Sequence, residues 1–247
     1  MELINGWIRA LSEAGALNSA YSTINTVAEI IAVLFGVIHG RKLRVGYLPV
    51  IAAVAVQRLT AGPLMNGILY VENGFSTGYT YNAPVVFVFV PLLGYLVAKI
   101  LKKPWQDIWD VMMPVPLIMF IGARIACTVA GCCYGYPCSW GVYNAGLEEY
   151  QFPIQLLEAF ATVLIVATAV FREKKNHFVP DGRNVPIMLI SYGIIRFFLE
   201  FFHNNKKILL GCSSTSFHCM LMILVGSLAL LVIRKHEKKK IASSPER

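Results

Sequence analysis

Seven apolar runs, separated by short polar stretches, organise this chain. They fall at 24–38, 45–58, 82–99, 111–130, 153–171, 185–203 and 216–233. A helix needs roughly 20 apolar residues, with ~17 a practical minimum, to cross a bilayer. The first two runs are short by that rule. Ahead of them, GWIRALSEAGAL (6–17) sets Trp7, Ile8, Ala10, Leu11, Ala14 and Leu17 at helical spacing. That spacing predicts an amphipathic helix lying on the membrane surface. No basic stretch precedes a short apolar one here, so no signal-peptide pattern is expected.

The polar connections alternate in charge. Arg41, Lys42 and Arg44 follow the first run, Lys99, Lys102 and Lys103 the third, and Arg172, Lys174, Lys175 and Arg183 the fifth. The tail RKHEKKK (234–240) follows the seventh, while the other side holds only Arg9, Arg58, Lys206 and Lys207. With seven spans every basic-rich connection falls on one side, and cytoplasmic loops carry the Lys and Arg excess. The expected fold is therefore an all-α integral membrane protein of about seven transmembrane helices. Its N-terminus lies outside and its C-terminus in the cytoplasm.

Composition agrees. Of 247 residues, 56% are hydrophobic and only 15% charged, with a mean hydropathy of +0.59; soluble domains carry about a quarter charged residues. The net charge of +8 lies in topology signals rather than along one stripe, which argues against a nucleic-acid partner. One membrane domain, 1–247, is expected. It has an extracytoplasmic arm at 1–23, extracytoplasmic loops at 59–81 and 131–152, and a basic cytoplasmic tail at 234–247. Both loops are rich in Gly, Asn, Tyr and Ser and read as loops or short re-entrant pieces.

Ionisable residues inside spans are costly and need a reason. Glu29, Arg58, Arg124, Glu158, Arg196 and Glu200 all fall in the outer half of the bilayer on this topology. Arg196 and Glu200, at i and i+4, share a helix face and can pair; Arg124 can pair with Glu158 or Glu200. Arg58 can snorkel to the interface. Two arginines opening towards the outer leaflet point to an anionic ligand, because guanidinium stays charged and offers paired donors to phosphate. The abundant phosphates at that depth belong to phospholipid headgroups.

Three segments carry a family resemblance. GARIACTVAGCCYG (122–135) resembles the signature of the bacterial prolipoprotein diacylglyceryl transferases, an Arg followed by a small-residue turn ending in Gly-x-x-x-Gly. Arg124, Gly131, Tyr134 and Gly135 fall on it. FPIQLLEA (152–159) is similar to the family's Pro-Ser-Gln-Leu-Tyr-Glu-Ala segment through Pro153, Gln155, Leu156, Glu158 and Ala159. SYGIIRFFLEFF (191–202) is similar to its Tyr-Gly-x-x-Arg-x-x-x-Glu-Phe motif through Tyr192, Gly193, Arg196, Glu200 and Phe201. The likeness covers residues 80–205 well and the first 80 weakly.

The resemblance implies an enzyme of the bacterial plasma membrane that moves diacylglyceryl from phosphatidylglycerol to the lipobox cysteine of a preprolipoprotein signal peptide. It implies lipid-binding roles for Arg124, Tyr134, Gly135 and Glu158 and catalytic roles for Arg196, Glu200, Asn82 and Cys132. No cofactor and no metal are expected. Departures are visible too. Where the family has His-Gly-Gly, this chain has Asn82-Ala83-Pro84; Cys127 replaces an Asn, Cys132 replaces an acidic residue, and a Trp-Tyr-Gly in the first span is missing. Amide nitrogen cannot accept a proton at physiological pH as imidazole does. The alternative is a non-catalytic or divergent protein binding anionic phospholipid, with another acceptor.

The cysteines leave three readings. Disulfides are permitted outside the membrane, for example between the 131–152 loop and Cys212. A metal set of Cys132, Cys133, Cys138 and His218 matches no familiar zinc spacing. Small polarisable packing suits Cys127 and Cys219. His203 and His218 read as interfacial residues.

Overall fold

The computed structural model describes residues 1–59, 65–72, 83–203 and 212–242. It is 77% helical. The order is α1 (Glu2–Glu13), α2 (Leu17–Lys42), α3 (Leu48–Leu59), α4 (Met65–Glu72), α5 (Ala83–Val88), α6 (Val90–Leu101), α7 (Trp105–Met112) and α8 (Pro114–Ala130). A hairpin of β1 (Pro137–Asn144) and β2 (Glu149–Gln151) precedes α9 (Ile154–Lys175), α10 (Asn184–Leu199) with a 3₁₀ turn at Glu200–Phe202, and α11 (Ser214–Ala242).

Among the described residues, five helical stretches are long and apolar enough to cross a membrane: Leu17–Lys42, Trp105–Ala130, Ile154–Lys175, Asn184–Phe202 and Ser214–Lys238. The runs at 45–58 and 82–99 form shorter helices. Proline explains one of these breaks and a second inside a long stretch, since it lacks the N–H that the ladder requires. Pro91 separates α5 from α6 at Phe89, and Pro114 separates α7 from α8 at Met113. The helix that holds the first apolar run starts at Leu17, seven residues before that run.

α8 is the axis of the bundle and touches α2, α3, α7 and α9. Small residues let the backbones approach, as is usual between membrane helices. Gly122 on α8 faces Ala28 on α2, and any added Cβ would collide with it. Around the axis, Phe87, Phe120 and Tyr192 pack edge to face, with centroids 5.3–5.8 Å apart. Large apolar side chains point outward on several helices, among them Ile30, Leu34, Phe160, Leu164, Leu224 and Leu228. Contiguous apolar surface of this kind belongs against lipid. The molecule is a multi-pass membrane protein.

The 131–152 segment is a paired hairpin rather than a loop. Tyr143 opposes Tyr150 and Asn144 opposes Glu149, with an irregular register between Pro137 and Val142. α1 docks on it. The Asn5 amide donates to Gly141 O at 3.2 Å, and its oxygen accepts from Tyr143 N at 2.9 Å. Arg9 donates to the Tyr150 hydroxyl at 2.7 Å and lies 4.6 Å from the Tyr143 ring centroid. Ile8 is fully buried. The amphipathic helix thus turns part of its face to the protein.

At the opposite end, buried Asp110 closes the turn before α10. Its carboxylate accepts from the backbone N–H groups of Asp181, Gly182 and Asn184 at 2.7, 2.9 and 3.1 Å. Helix N-termini leave such donors unsatisfied, and here a distant residue supplies the acceptor. His39 meets Glu173 at 3.2 Å in the same network.

Replacing Gly122 by Leu is expected to destabilise the bundle by about 1–3 kcal/mol, the range for overpacking. Gly6→Ala, on open surface in α1, is expected to be neutral or to stabilise by about 0.5–1 kcal/mol. Thermal unfolding in detergent measures both.

Candidate functional site

The site is assembled from the ends of α8, α9 and α10. α8 stops at Gly131, which adopts the left-handed conformation at φ 70°. Asn144 holds this corner. Its side-chain nitrogen donates to Gly131 O at 2.8 Å, while its oxygen accepts from Gly146 N and Leu147 N. A Cβ at Gly131 would sit 2.5 Å from that oxygen. Gln155, in the first turn of α9, donates to Cys132 O at 2.7 Å.

Gly135 is held just as tightly. It forms a β-bridge with His203, and an added Cβ would meet Phe152 O at 2.9 Å and Phe202 O at 3.0 Å. Tyr136 N donates to Phe202 O, and Phe152 N to Tyr136 O. The Gly-x-x-x-Gly turn is therefore stitched to the start of α9 and the end of α10. Gly135 is required by close backbone approach, and Gly131 by its left-handed conformation against the Asn144 side chain.

Behind the turn lie the buried charges. Glu158 is shared by two arginines: Arg124 Nε lies 3.2 Å from one carboxylate oxygen and Arg196 Nε 3.3 Å from the other. The Tyr192 hydroxyl donates to Glu158 at 2.6 Å. Arg196 reaches Glu200 through Nη2 at 2.7 Å, and Ser213 donates to Glu200 at 2.5 Å. Arg124 also stacks 4.4 Å from the Phe120 ring centroid. All four charged residues are at most 4% exposed, and their charges sum to zero. Arg196 Nη1 has no hydrogen-bond partner among the described residues.

A cavity of ≈ 340 Å³ opens between α2, α3 and α8, lined by Tyr21, Asn25, Glu29, Arg58, Arg124, Cys127 and Cys133 among others. Glu29 and Arg58 are ion-paired on its rim. Arg196 is not among its lining residues. The two arginines converge on one carboxylate, but only Arg124 faces this space.

Of the residues singled out from sequence, Arg124, Glu158, Arg196 and Glu200 are brought into one network. Gly135 is part of the backbone joint beside it, and Tyr134 occupies the same turn. Cys132 is exposed at that turn. Asn82 lies outside the described residues. His203 is buried, and its β-bridge to Gly135 holds it under the turn. Burial, and next the Arg196 guanidinium, hold its imidazole pKa below the ordinary value; its Nδ1 is unpartnered among the described residues. Ser213 was absent from the sequence reading. It sits just ahead of α11, where serines ordinarily cap helices, and nothing in the periodicity links it to Glu200.

The chain is similar to known proteins. A family model described as prolipoprotein diacylglyceryl transferase matches residues 6–232. A protein of Clostridium perfringens (strain 13 / Type A), phosphatidylglycerol–prolipoprotein diacylglyceryl transferase 2, is 29% identical over 149 residues. The aligned stretch covers 57% of this chain and 57% of that relative, so just over half of its length is shared.

Glu158→Ala leaves two guanidiniums without their common partner and is expected to cost about 3–5 kcal/mol. Tyr192→Phe removes one hydrogen bond and is expected to cost about 1 kcal/mol. Chemical unfolding in detergent would rank them, and equal losses would contradict the central place given to the carboxylate.

Proposed function

This chain belongs to the prolipoprotein diacylglyceryl transferase family, and from that premise we propose that it transfers diacylglyceryl from phosphatidylglycerol to a lipobox cysteine of a prolipoprotein. The observation that carries this reading is the convergence of Arg124 and Arg196, from separate helices, on Glu158 beside a cavity.

In the proposed reaction a cysteine thiolate attacks the glyceryl carbon that bears the phosphate ester. A C–S bond forms, the C–O bond breaks, and glycerol phosphate leaves with the bonding pair. Arg124 meets the headgroup in the cavity with Tyr134 and Gly135 beside it, and Glu158 holds both guanidiniums at fixed spacing. Arg196, with Nη1 uncommitted, stabilises charge building on the leaving phosphate; donors set in place beforehand cost no reorganisation during the reaction. Glu200 holds Arg196 in position. We assign the thiol proton to His203, a buried imidazole whose pKa is lowered by burial and by Arg196 and whose Nδ1 is unpartnered among the described residues. A general base must be unprotonated and within reach. Asn82 and Cys132 complete the set as hydrogen-bonding groups.

We place this chemistry at the outer face of the bacterial plasma membrane, on a seven-span, N-outside topology. In that arrangement α3 and the α5–α6 pair act as the two further crossings, α1 is an extracytoplasmic arm, and 1–247 is one membrane domain.

A second reading is favoured by one observation. Every charged group in the network is matched, and Arg196 does not line the cavity. A balanced set of this kind can serve a protein that binds anionic phospholipid without turning it over.

Incubation of the purified chain with labelled phosphatidylglycerol and a lipobox peptide is expected to yield labelled peptide. Loss of Arg196 is expected to lower the rate by roughly 10²–10³, as for other transition-state donors. Lipid binding without transfer, beside an active family member, would establish the second reading. A reporter fused after Arg247 is expected to be active only in the cytoplasm; extracytoplasmic activity would overturn the topology.

A further inference from the structure

The turn that carries the two glycines also gathers three thiols. The Sγ atoms of Cys127, Cys132 and Cys133 all lie within 4.8 Å of one another. We propose that this trio is a binding site for a thiophilic d10 cation, with zinc(II) as the reference ion. The inference does not rest on the transfer activity.

The backbone explains how residues five and six apart in sequence meet. Cys127 lies in the last turns of α8. Gly131 reverses the chain with φ 70°, and Cys133 is itself left-handed at φ 57°, a conformation that non-glycine residues seldom adopt. The two reversals bring Cys132 and Cys133 back over the helix end. The Cys132 sulfur sits 3.8 Å from Cys127 O. The flanking backbone is fixed by Asn144 on Gly131 O and Gln155 on Cys132 O. Such outer contacts orient metal ligands.

The dimensions fit. A Zn–S bond of about 2.3 Å puts sulfurs about 3.8 Å apart around a tetrahedral ion. The observed spread needs a closure of about 1 Å or less, within the reach of side-chain rotation. Binding forms three metal–sulfur bonds and releases up to three protons to solvent, with no change of oxidation state. Three thiolates around a divalent cation leave a net charge of −1, and Arg124 lines the same cavity as Cys127 and Cys133. A fourth ligand, water included, has access from that space.

A disulfide fits less well. It would use two of the three thiols and leave one over, and the adjacent Cys132 and Cys133 can bridge each other only through a strained turn. All six cysteines are free thiols in the structure. The trio differs from the set weighed from sequence, Cys132, Cys133, Cys138 and His218, where no metal is expected. Cys138 lies on β1, outside the cluster, and Cys127 takes its place.

The full chain, purified in detergent with a non-chelating phosphine reductant and stripped of metal, is titrated with cobalt(II). The expected result is thiolate-to-cobalt charge-transfer absorption that saturates at one ion per chain and is bleached by zinc. Cys127→Ser, Cys132→Ser and Cys133→Ser should each abolish the band, and Cys138→Ser should leave it. Alkylation mapping of the wild-type protein avoids dependence on variants that fail to fold. Zinc should slow labelling at the three clustered cysteines and not at Cys138 or Cys212. Absence of the band, its survival in all three serine variants, unchanged labelling, or a disulfide joining Cys127 to Cys132 or Cys133 in protein isolated without reductant would each overturn the proposal.

Discussion

Two guanidiniums share one carboxylate inside the helical bundle, and the arrangement of the last helices follows from that requirement. A cation on a spanning helix is tolerated only when it faces the protein interior and finds a partner. Glu158 satisfies Arg124 and Arg196 at once, so α8, α9 and α10 must approach within a side chain's length at one depth. Tyr192 and Ser213 saturate what the arginines leave of the two carboxylates. Breaking one member of such a set costs more than its pair energy, because the remainder is left charged in a medium that cannot solvate it. The network is thus a geometric constraint first, whatever ligand it meets.

The glycine turn is the second constraint and depends on the first. Gly135 leaves no room for a Cβ between Phe152 O and Phe202 O, where the helix ends joined by the shared carboxylate come together. The turn in turn buries His203 and aims three sulfurs at one point. Polar chemistry concentrates in this corner for a plain reason: it is where regular hydrogen bonding stops and backbone groups must be answered by side chains.

Much of this was legible from residue order. Arg196 and Glu200 at helical spacing announced their pairing, and the motifs around Arg124 and Glu158 named the right helices. Contacts between distant segments were hidden. Asp110 caps a helix 74 residues further on, and an isolated acid in an apolar run carries no mark of its partner. Cys127 looked like packing because its neighbours at i+5 and i+6 become neighbours in space only after two left-handed residues, which periodicity does not encode. The hairpin at 137–151 was read as loop because its strands are short and irregularly paired. The apolar runs at 45–58 and 82–99 gave helices in place, yet α3, α5 and α6 are each individually short.

The order in which the charged helices occur along the chain has a bearing on biogenesis. Arg124 leaves the ribosome first, Glu158 second, and the Arg196–Glu200 couple last. α8 alone would carry a naked cation into the bilayer, whereas α8 and α9 together match Arg124 with Glu158. α10 arrives with its charge already matched by a residue one turn away. Membrane insertion is therefore cheapest when α8 waits at the translocon for α9.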